Sequence, residues 1–112
     1  MSNSVSVFQG QLSRTWKYPV NGRTHVINLL HDTISGVRSV LVNYEEYPGS
    51  MGNSSLVMES SGHIIRFSLP GDIPGHVIIG RSGFFGFEYS CFVSDRQIKE
   101  VRKVFVHFTI SV

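Results

Sequence analysis

The feature that most constrains the fold is a period-two alternation of apolar and polar residues, which recurs along almost the whole chain. In His63–Leu69, for example, one face of an extended strand carries Ile65, Phe67 and Leu69, and the other carries Ile64, Arg66 and Ser68. Asn21-Gly22 interrupts the alternation with a pair that strongly favours a two-residue hairpin turn, because both residues tolerate a positive φ. The sequence therefore predicts an all-β protein, an antiparallel β-sandwich of about seven to nine short strands.

The alternation also places the individual strands and the turns between them. Tyr44–Ser61 is the most loop-like segment and is expected to be the most mobile, with a short strand at Leu56–Met58 inside it. Pro70–Gly75 is expected to form a loop, and Gln97–Lys103 fits a helical turn as well as a strand. The expected longer strands are Val5–Leu12, Thr24–Leu30, Val37–Val42, His63–Leu69, His76–Gly80, Phe84–Val93 and Val104–Val112.

Length and charge restrict the classes of protein to which the chain can belong. Its 112 residues are enough for one domain with its own core. The formal net charge is +2 and the basic residues are scattered, with one local cluster in Arg96–Lys103. A nucleic-acid-binding domain would concentrate positive charge on one face, so no nucleic-acid partner is expected.

Targeting signals are also missing from the sequence. The first ten residues, MSNSVSVFQG, resemble no secretory leader, and no apolar run approaches the roughly 20 residues of a membrane-spanning helix. We therefore expect a cytoplasmic protein that does not insert into membranes. The single cysteine, Cys91, excludes an internal disulfide and is expected to be a buried, unreactive thiol.

Catalytic and metal-binding patterns are weak. His25 and His31 lie six residues apart and would share a strand face beside Asp32, but no third metal ligand follows at a convincing spacing. Glu45 and Glu46 are adjacent, so a strand would point them to opposite faces, which does not suit an acid/base pair. Neither a nucleophile elbow nor a phosphate-binding glycine loop occurs. The sequence thus predicts no enzyme activity, no catalytic residues, no metal and no cofactor.

Two blocks carry landmarks that a generic β-hairpin would not need. The first, His25–Glu46, resembles the opening repeat of the Fas apoptotic inhibitory molecule family, H-x-I-x-F-x-H-x-T-x-S-G-x-R, followed by a valine strand and an acidic turn. The second, Gly83–Tyr89, is similar to the family's glycine–aromatic–Y-E-Y strand. The resemblance covers about residues 5–100, which is one family domain of the usual two, and Asn43-Tyr44 stands where the family has a D-G turn. The matching residues of the first block are His25, Ile27, His31, Thr33, Ser35, Gly36 and Arg38, with Val40, Val42 and Glu45-Glu46 after them.

The resemblance implies a fold of compact antiparallel β-domains and a non-enzymatic function. It implies a cytosolic inhibitor of apoptosis and death-receptor signalling that acts through one or more protein partners, and that also protects against aggregated protein. It supplies no catalytic residues, so the motif residues are expected to be structural. Gly36 is expected to supply a turn conformation that other residues resist. The expected structural set is His25, His31, Thr33, Ser35, Gly36, Arg38, Phe87 and Tyr89.

Two questions stay open at the level of sequence. The first is the class of binding protein, because a β-sandwich that binds a small ligand or carbohydrate through Trp16, Tyr18 and His25 is the alternative. The second is the C-terminal strand, whose residues Val104, Val106, Phe108 and Ile110 face one way. That strand either closes the core or forms an exposed edge for strand addition to a partner or a second copy of the chain.

Overall fold

The fold is known from a computed structural model that describes residues 11–53, 63–83 and 86–101. Within these residues the secondary structure consists of strands and turns, without a helix, as the alternation predicts. The strands are β1 (Gln11–Val20), β2 (Arg23–Asp32), β3 (Val37–Val42), β4 (Glu45–Glu46), β5 (Gly52–Asn53), β6 (His63–Leu69), β7 (Ile73–Ser82), β8 (Gly86–Val93) and β9 (Arg96–Ile98).

Each of the two sheets is built from one continuous stretch of chain. The first sheet has the order β1-β2-β3-β4, and β5 pairs with the same edge of β3 that β4 uses further along. The second sheet has the order β6-β7-β8-β9. All neighbours are antiparallel. After β9 the chain returns to the first sheet, where Glu100 bridges Trp16 and the Val101 N–H donates to the Thr15 carbonyl at 2.8 Å.

The core lies between the inner faces of the two sheets. Alternate residues along the strands fill it, which confirms the predicted antiparallel sandwich. Cys91 is 0% exposed, as predicted, and burial raises the pKa of its thiol to about 12. The buried apolar residues are Trp16, Ile27, Leu29 and Val40 from the first sheet, and Ile65, Phe67, Leu69, Val77, Ile79, Cys91 and Val93 from the second.

Three two-residue turns connect neighbouring strands with positive φ at both central positions. Asn21-Gly22, with φ of 49° and 78°, forms the predicted β1–β2 turn. Asn43-Tyr44, with φ of 51° and 70°, connects β3 to β4. Ser94-Asp95, with φ of 50° and 64°, connects β8 to β9. This conformation matches the right-handed twist of the strands, which is why it recurs even where no glycine is present.

The predicted loop Pro70–Gly75 is wrong, because only its first three residues form a turn and β7 begins at Ile73. Pro74 fits there because it pairs with Ser68 of β6, whereas pairing with β8 starts one residue later, at Gly75. Gly75 is needed at its position because the Phe67 ring covers it. An added Cβ would lie 2.5 Å from the Phe67 Cζ.

Other strand boundaries also differ from the predictions. Val37–Val42 and His63–Leu69 are confirmed, whereas β2 and β7 are longer than predicted. The first strand does not end at Leu12 but continues to Val20. The ambiguous Gln97–Lys103 begins as strand β9.

Some predictions lie wholly or partly outside the described residues. The first six residues of Val5–Leu12, the strands Leu56–Met58 and Val104–Val112, and the first two residues of Phe84–Val93 belong to that part of the chain. Within Tyr44–Ser61, the described portion contains the short strands β4 and β5. A helix long and apolar enough to cross a membrane does not occur in the ranges given above.

Candidate functional site

His31 connects the two sheets in the middle of the candidate site. It lies on β2, is 1% exposed, and its Nδ1 is 2.7 Å from the Tyr89 hydroxyl on β8. The imidazole also meets the Phe87 ring edge-on, with the centroids 4.9 Å apart, and the Tyr89 ring at 5.6 Å. The structure thus brings together a histidine from the first resembling block and two aromatic residues from the second. We call His31, Phe87 and Tyr89 the His31 cluster.

Burial favours the neutral forms of the titratable groups in the His31 cluster. Loss of hydration lowers the pKa of His31, and the nearby Arg38 acts in the same direction, whereas Asp32 opposes it. Burial raises the pKa of Tyr89 to about 12, against the opposing effect of Arg14. Among the described residues, His31 Nε2 is the buried side-chain polar atom without a hydrogen-bond partner. A neutral, enclosed pair of this kind suits a joint between sheets better than an acid/base catalyst.

Arg14 covers the outer side of the His31 cluster. Its guanidinium carbon lies 5.2 Å from the centre of the Tyr89 ring, and its Nε is 3.4 Å from a carboxylate oxygen of Glu100. Both side chains of this ion pair are partly exposed, so it contributes little to stability by itself. Sequence reasoning missed Arg14, because its position beside Tyr89 depends on how the two sheets pack.

The turn between β2 and β3 is held by side chains of its own sequence. One Asp32 carboxylate oxygen accepts hydrogen bonds from the N–H groups of Ile34 and Ser35, at 2.9 and 3.0 Å. These bonds lower the pKa of Asp32. The Gly36 N–H donates to the Asp32 carbonyl at 2.7 Å, and Gly36 has a φ of 83°. The predicted positive φ at Gly36 is therefore confirmed.

The other polar motif residues of this turn stay close to it. The Ser35 hydroxyl accepts a hydrogen bond from the Val37 N–H at 3.2 Å, and the Asn53 side chain donates to the Ser35 carbonyl at 3.1 Å. Thr33 is partly buried in the same turn. The short strand β5 is thereby attached to the turn as well as to β3.

Arg38 and Ser50 bind the outer edge of β3 to the segment that follows β4. The Arg38 guanidinium donates to the Ser50 carbonyl and lies 3.4 Å from His63 Nε2. Ser50 is 1% exposed, and its hydroxyl accepts from the Val40 N–H and donates to the Val40 carbonyl, both at 3.0 Å. The Ser50 hydroxyl thus makes the two hydrogen bonds to Val40 that the backbone of a neighbouring strand would otherwise make. No pattern in the sequence marks Ser50 for this role.

His25 is fixed separately from His31. The Asn43 side chain donates to His25 Nδ1 at 3.1 Å, and its carbonyl oxygen accepts the Val26 N–H at 2.9 Å. Both histidines lie on the same face of β2, as their spacing predicts, and both are buried, but each has its own partner. No group of three or more His, Cys, Asp or Glu side chains that could hold a metal occurs within residues 11–53, 63–83 and 86–101.

The residues of the ligand-binding alternative lie mainly in the interior. Trp16 is 1% exposed and His25 is 8% exposed, while Tyr18 packs against the core. Stacking against a sugar requires an accessible aromatic face, which Trp16 does not present.

Three exposed apolar residues lie on the β2–β3 turn, at the start of β3, and just before β5, the short strand that pairs with the start of β3. Ile34 on the β2–β3 turn is 72% exposed, Met51 just before β5 is 58% exposed, and Val37 at the start of β3 is 43% exposed. We call these three residues the Ile34 patch. Adjacent exposed apolar groups are typical of protein-binding surfaces, whereas isolated ones are common everywhere.

The sequence can be compared with models of known protein families and with curated proteins. No family model and no curated protein matches the chain. A function for the chain is therefore inferred from its own residues and the contacts between them.

Proposed function

We propose that the chain is a non-enzymatic, cytoplasmic protein-interaction domain that inhibits death-receptor apoptosis and protects against protein aggregation, as its resemblance to the Fas apoptotic inhibitory molecule family implies. One observation carries the proposal. The two resembling blocks are far apart in the sequence, yet His31 of the first contacts Phe87 and Tyr89 of the second. Two independent matches to common strand patterns would have no reason to lie in contact in the folded chain. The contact therefore supports the interpretation that the two blocks are parts of one motif.

The chemistry of the motif residues supports a binding domain and not an enzyme. Ser35 and Gly36, with the neighbouring Asp32, shape a turn, and His31 joins the sheets. These side chains are occupied with internal contacts, so the motif would preserve the fold while other residues meet the partner. The Ile34 patch beside that turn is the surface we assign to the protein partner, because its side chains are apolar and exposed.

The experiment measures caspase activation in cells that express the chain and are treated with a death-receptor ligand. We expect lower caspase activity than in cells with an empty vector. Replacing two residues of the patch, Ile34→Lys with Met51→Lys, should abolish the protection, because charge at an apolar contact opposes binding. The matched control is Thr24→Lys with Gln97→Lys, which adds the same charge at two exposed positions away from the patch.

Each outcome decides one part of the proposal. Caspase activity equal to the empty vector would contradict the apoptotic function. Equal protection by the patch variant and the control would exclude the Ile34 patch as the contact surface. A circular dichroism spectrum unchanged from the parent chain is required of both variants, so that loss of folding is not read as loss of binding.

A further inference from the structure

A cavity of about 420 Å³ opens beside the core, between the end of β6 and the end of β3 with the residues that follow it. This volume lies within the range of about 300–1,000 Å³ that is typical of ligand pockets. The floor is apolar, because Leu69 is 2% exposed and both Val42 and Tyr47 pack against the core. One wall belongs to each sheet, so the cavity forms only when the two sheets pack together. We call it the Tyr47 cavity.

Backbone hydrogen bonds fix the wall that belongs to the first sheet. The Tyr47 N–H donates to the Val40 carbonyl at 2.8 Å, and the Tyr47 carbonyl accepts from the Ser50 N–H at 3.0 Å. Asn43 also lines this wall, and its N–H donates to the Val26 carbonyl at 2.7 Å. Because the wall is already ordered, less conformational entropy is lost when a ligand binds there.

The rim of the Tyr47 cavity is acidic. Glu45 lies opposite Val42 in the β3–β4 ladder, so both side chains leave the first sheet on its inner face. Glu46 also lines the cavity, and both glutamates are exposed. Among the described residues, the lining contains no lysine, arginine or histidine, and neither glutamate forms an ion pair. Charge complementarity therefore favours a cationic ligand.

Elsewhere in the same structure, an aromatic ring and a carboxylate together hold a guanidinium group. The guanidinium carbon of Arg14 lies 5.2 Å from the centre of the Tyr89 ring, and its Nε is 3.4 Å from a Glu100 oxygen. The Tyr47 cavity offers the same two kinds of group in Tyr47 and Glu45. A guanidinium is planar, is more weakly hydrated than an ammonium, and can form two parallel hydrogen bonds with one carboxylate. Among cationic side chains, arginine therefore suits this cavity best.

We propose that the Tyr47 cavity binds an arginine side chain of a protein partner. The guanidinium stacks on the Tyr47 ring and pairs with Glu45, while the aliphatic part of the side chain contacts the apolar floor. A metal ion fits less well, because the described residues bring no three His, Cys, Asp or Glu side chains together. The inference does not depend on the proposed function, because the Tyr47 cavity and the Ile34 patch share no residue.

Nuclear magnetic resonance tests the proposal on the unmodified chain. Backbone amide shifts are recorded at low ionic strength while a glycine peptide with one central arginine is added. We expect saturable shifts at the amides of Glu45, Tyr47 and Leu69, and weaker binding as the salt concentration rises. Shifts confined to other parts of the chain, or no shifts, would overturn the proposal. Cavity shifts that depend on protein concentration before peptide is added would make a second copy of the chain the occupant, and would also overturn it.

Two control peptides separate the contribution of the guanidinium from that of the rest of the peptide. Citrulline has nearly the shape of arginine without its charge, and lysine keeps the charge without the planar group. We expect the dissociation constant of the citrulline peptide to be at least about fivefold higher than that of the arginine peptide, with the lysine peptide between them. Equal affinity of either control peptide would contradict an arginine site.

Two variants of the chain test the role of the carboxylate. Glu45→Gln removes a charge from the cavity with little change in size, and the matched control Glu88→Gln removes the same charge from an exposed position on β8 outside it. We expect Glu45→Gln to weaken binding of the arginine peptide at least about threefold, and Glu88→Gln to leave it unchanged. No effect of Glu45→Gln, or equal effects of the two variants, would overturn the assignment. The amide spectrum of each variant reports whether it is folded, and the comparison with citrulline requires neither variant.

Discussion

Replacing Tyr89 by phenylalanine tests whether the His31 cluster is a structural joint. The change removes one oxygen atom and leaves the aromatic ring, so packing is nearly preserved. His31 Nδ1 then loses its partner at 2.7 Å, while His31 Nε2 already has none among the described residues. An unsatisfied buried polar group costs about 1–3 kcal/mol, so we expect Tyr89→Phe to lower the free energy of unfolding by that amount.

The change is a large part of the stability of a small domain, which is typically about 5–15 kcal/mol. Urea unfolding can be followed by the fluorescence of Trp16, the single tryptophan, which is buried in the core. With a slope of about 1–3 kcal/mol per molar urea, the midpoint should fall by about 1 M. Tyr18→Phe is the control, because its hydroxyl has no hydrogen bond to the described residues and its loss should change the midpoint little.

A double-mutant cycle makes the test stricter. His31→Leu removes both ring nitrogens, so the combined variant His31→Leu with Tyr89→Phe leaves no unpaired imidazole nitrogen. Replacing both partners by apolar groups is often close to neutral, so the double variant should be more stable than the sum of the single effects predicts. An unchanged midpoint for Tyr89→Phe, or strict additivity in the cycle, would refute the reasoning.

Four further predictions concern the pH dependence, the turns and the thiol. Because burial lowers the pKa of His31 below its ordinary value of 6.5, the unfolded chain binds the proton first. The contribution of His31 to the free energy of unfolding should therefore be fully present above about pH 6.5 and should fall as the pH decreases, by at most about 1.4 kcal/mol per pH unit. The urea midpoint should fall less over the same pH range in His31→Leu. Tyr44→Gly should raise the thermal midpoint by relieving about 1 kcal/mol of strain at a φ of 70°, and an unchanged midpoint would argue against strain there. Gly36→Val should lower the urea midpoint through a loss of about 1–3 kcal/mol, since φ is 83°, and a neutral effect would show that the turn tolerates a side chain. Cys91 should react with a thiol reagent only after urea is added, whereas rapid labelling of the native chain would disprove its burial.

The strand pattern could be predicted where local alternation and turn chemistry agree. His63–Leu69 and Val37–Val42 have the predicted bounds because the first is a short alternating run and the second is a short valine-rich run, and turn residues flank each of them. The sequence predicts a loop at Pro70–Gly75 because proline and glycine usually interrupt strands. Their accommodation depends on non-local contacts, namely the start of the β8 ladder at Gly75 and the Phe67 ring above it.

The candidate site could be predicted only in part, for a related reason. Periodicity places His31 on an inward face, and the resemblance marks both His31 and Tyr89, but neither gives the alignment of one sheet on the other. Arg14 beside Tyr89 and Ser50 against Val40 depend on that alignment or on the path of an irregular segment. Such contacts are determined by the tertiary structure and leave no periodic trace in the sequence.

The assignment of each sheet to one continuous stretch of chain has a consequence for protein engineering. A cut between Asn53 and His63 would separate the strands of the first sheet, β1 to β5, from those of the second, β6 to β9. Each fragment would retain the hydrogen bonds between its own strands, but the cut would separate Val101 from Thr15 and expose both halves of the apolar core. Folding and association of the two fragments would then become a single bimolecular step. Because Trp16 and Cys91 lie in different fragments and are both buried in the shared core, reassembly would quench thiol labelling and shift tryptophan emission together. The domain is therefore a natural scaffold for a split reporter of protein proximity.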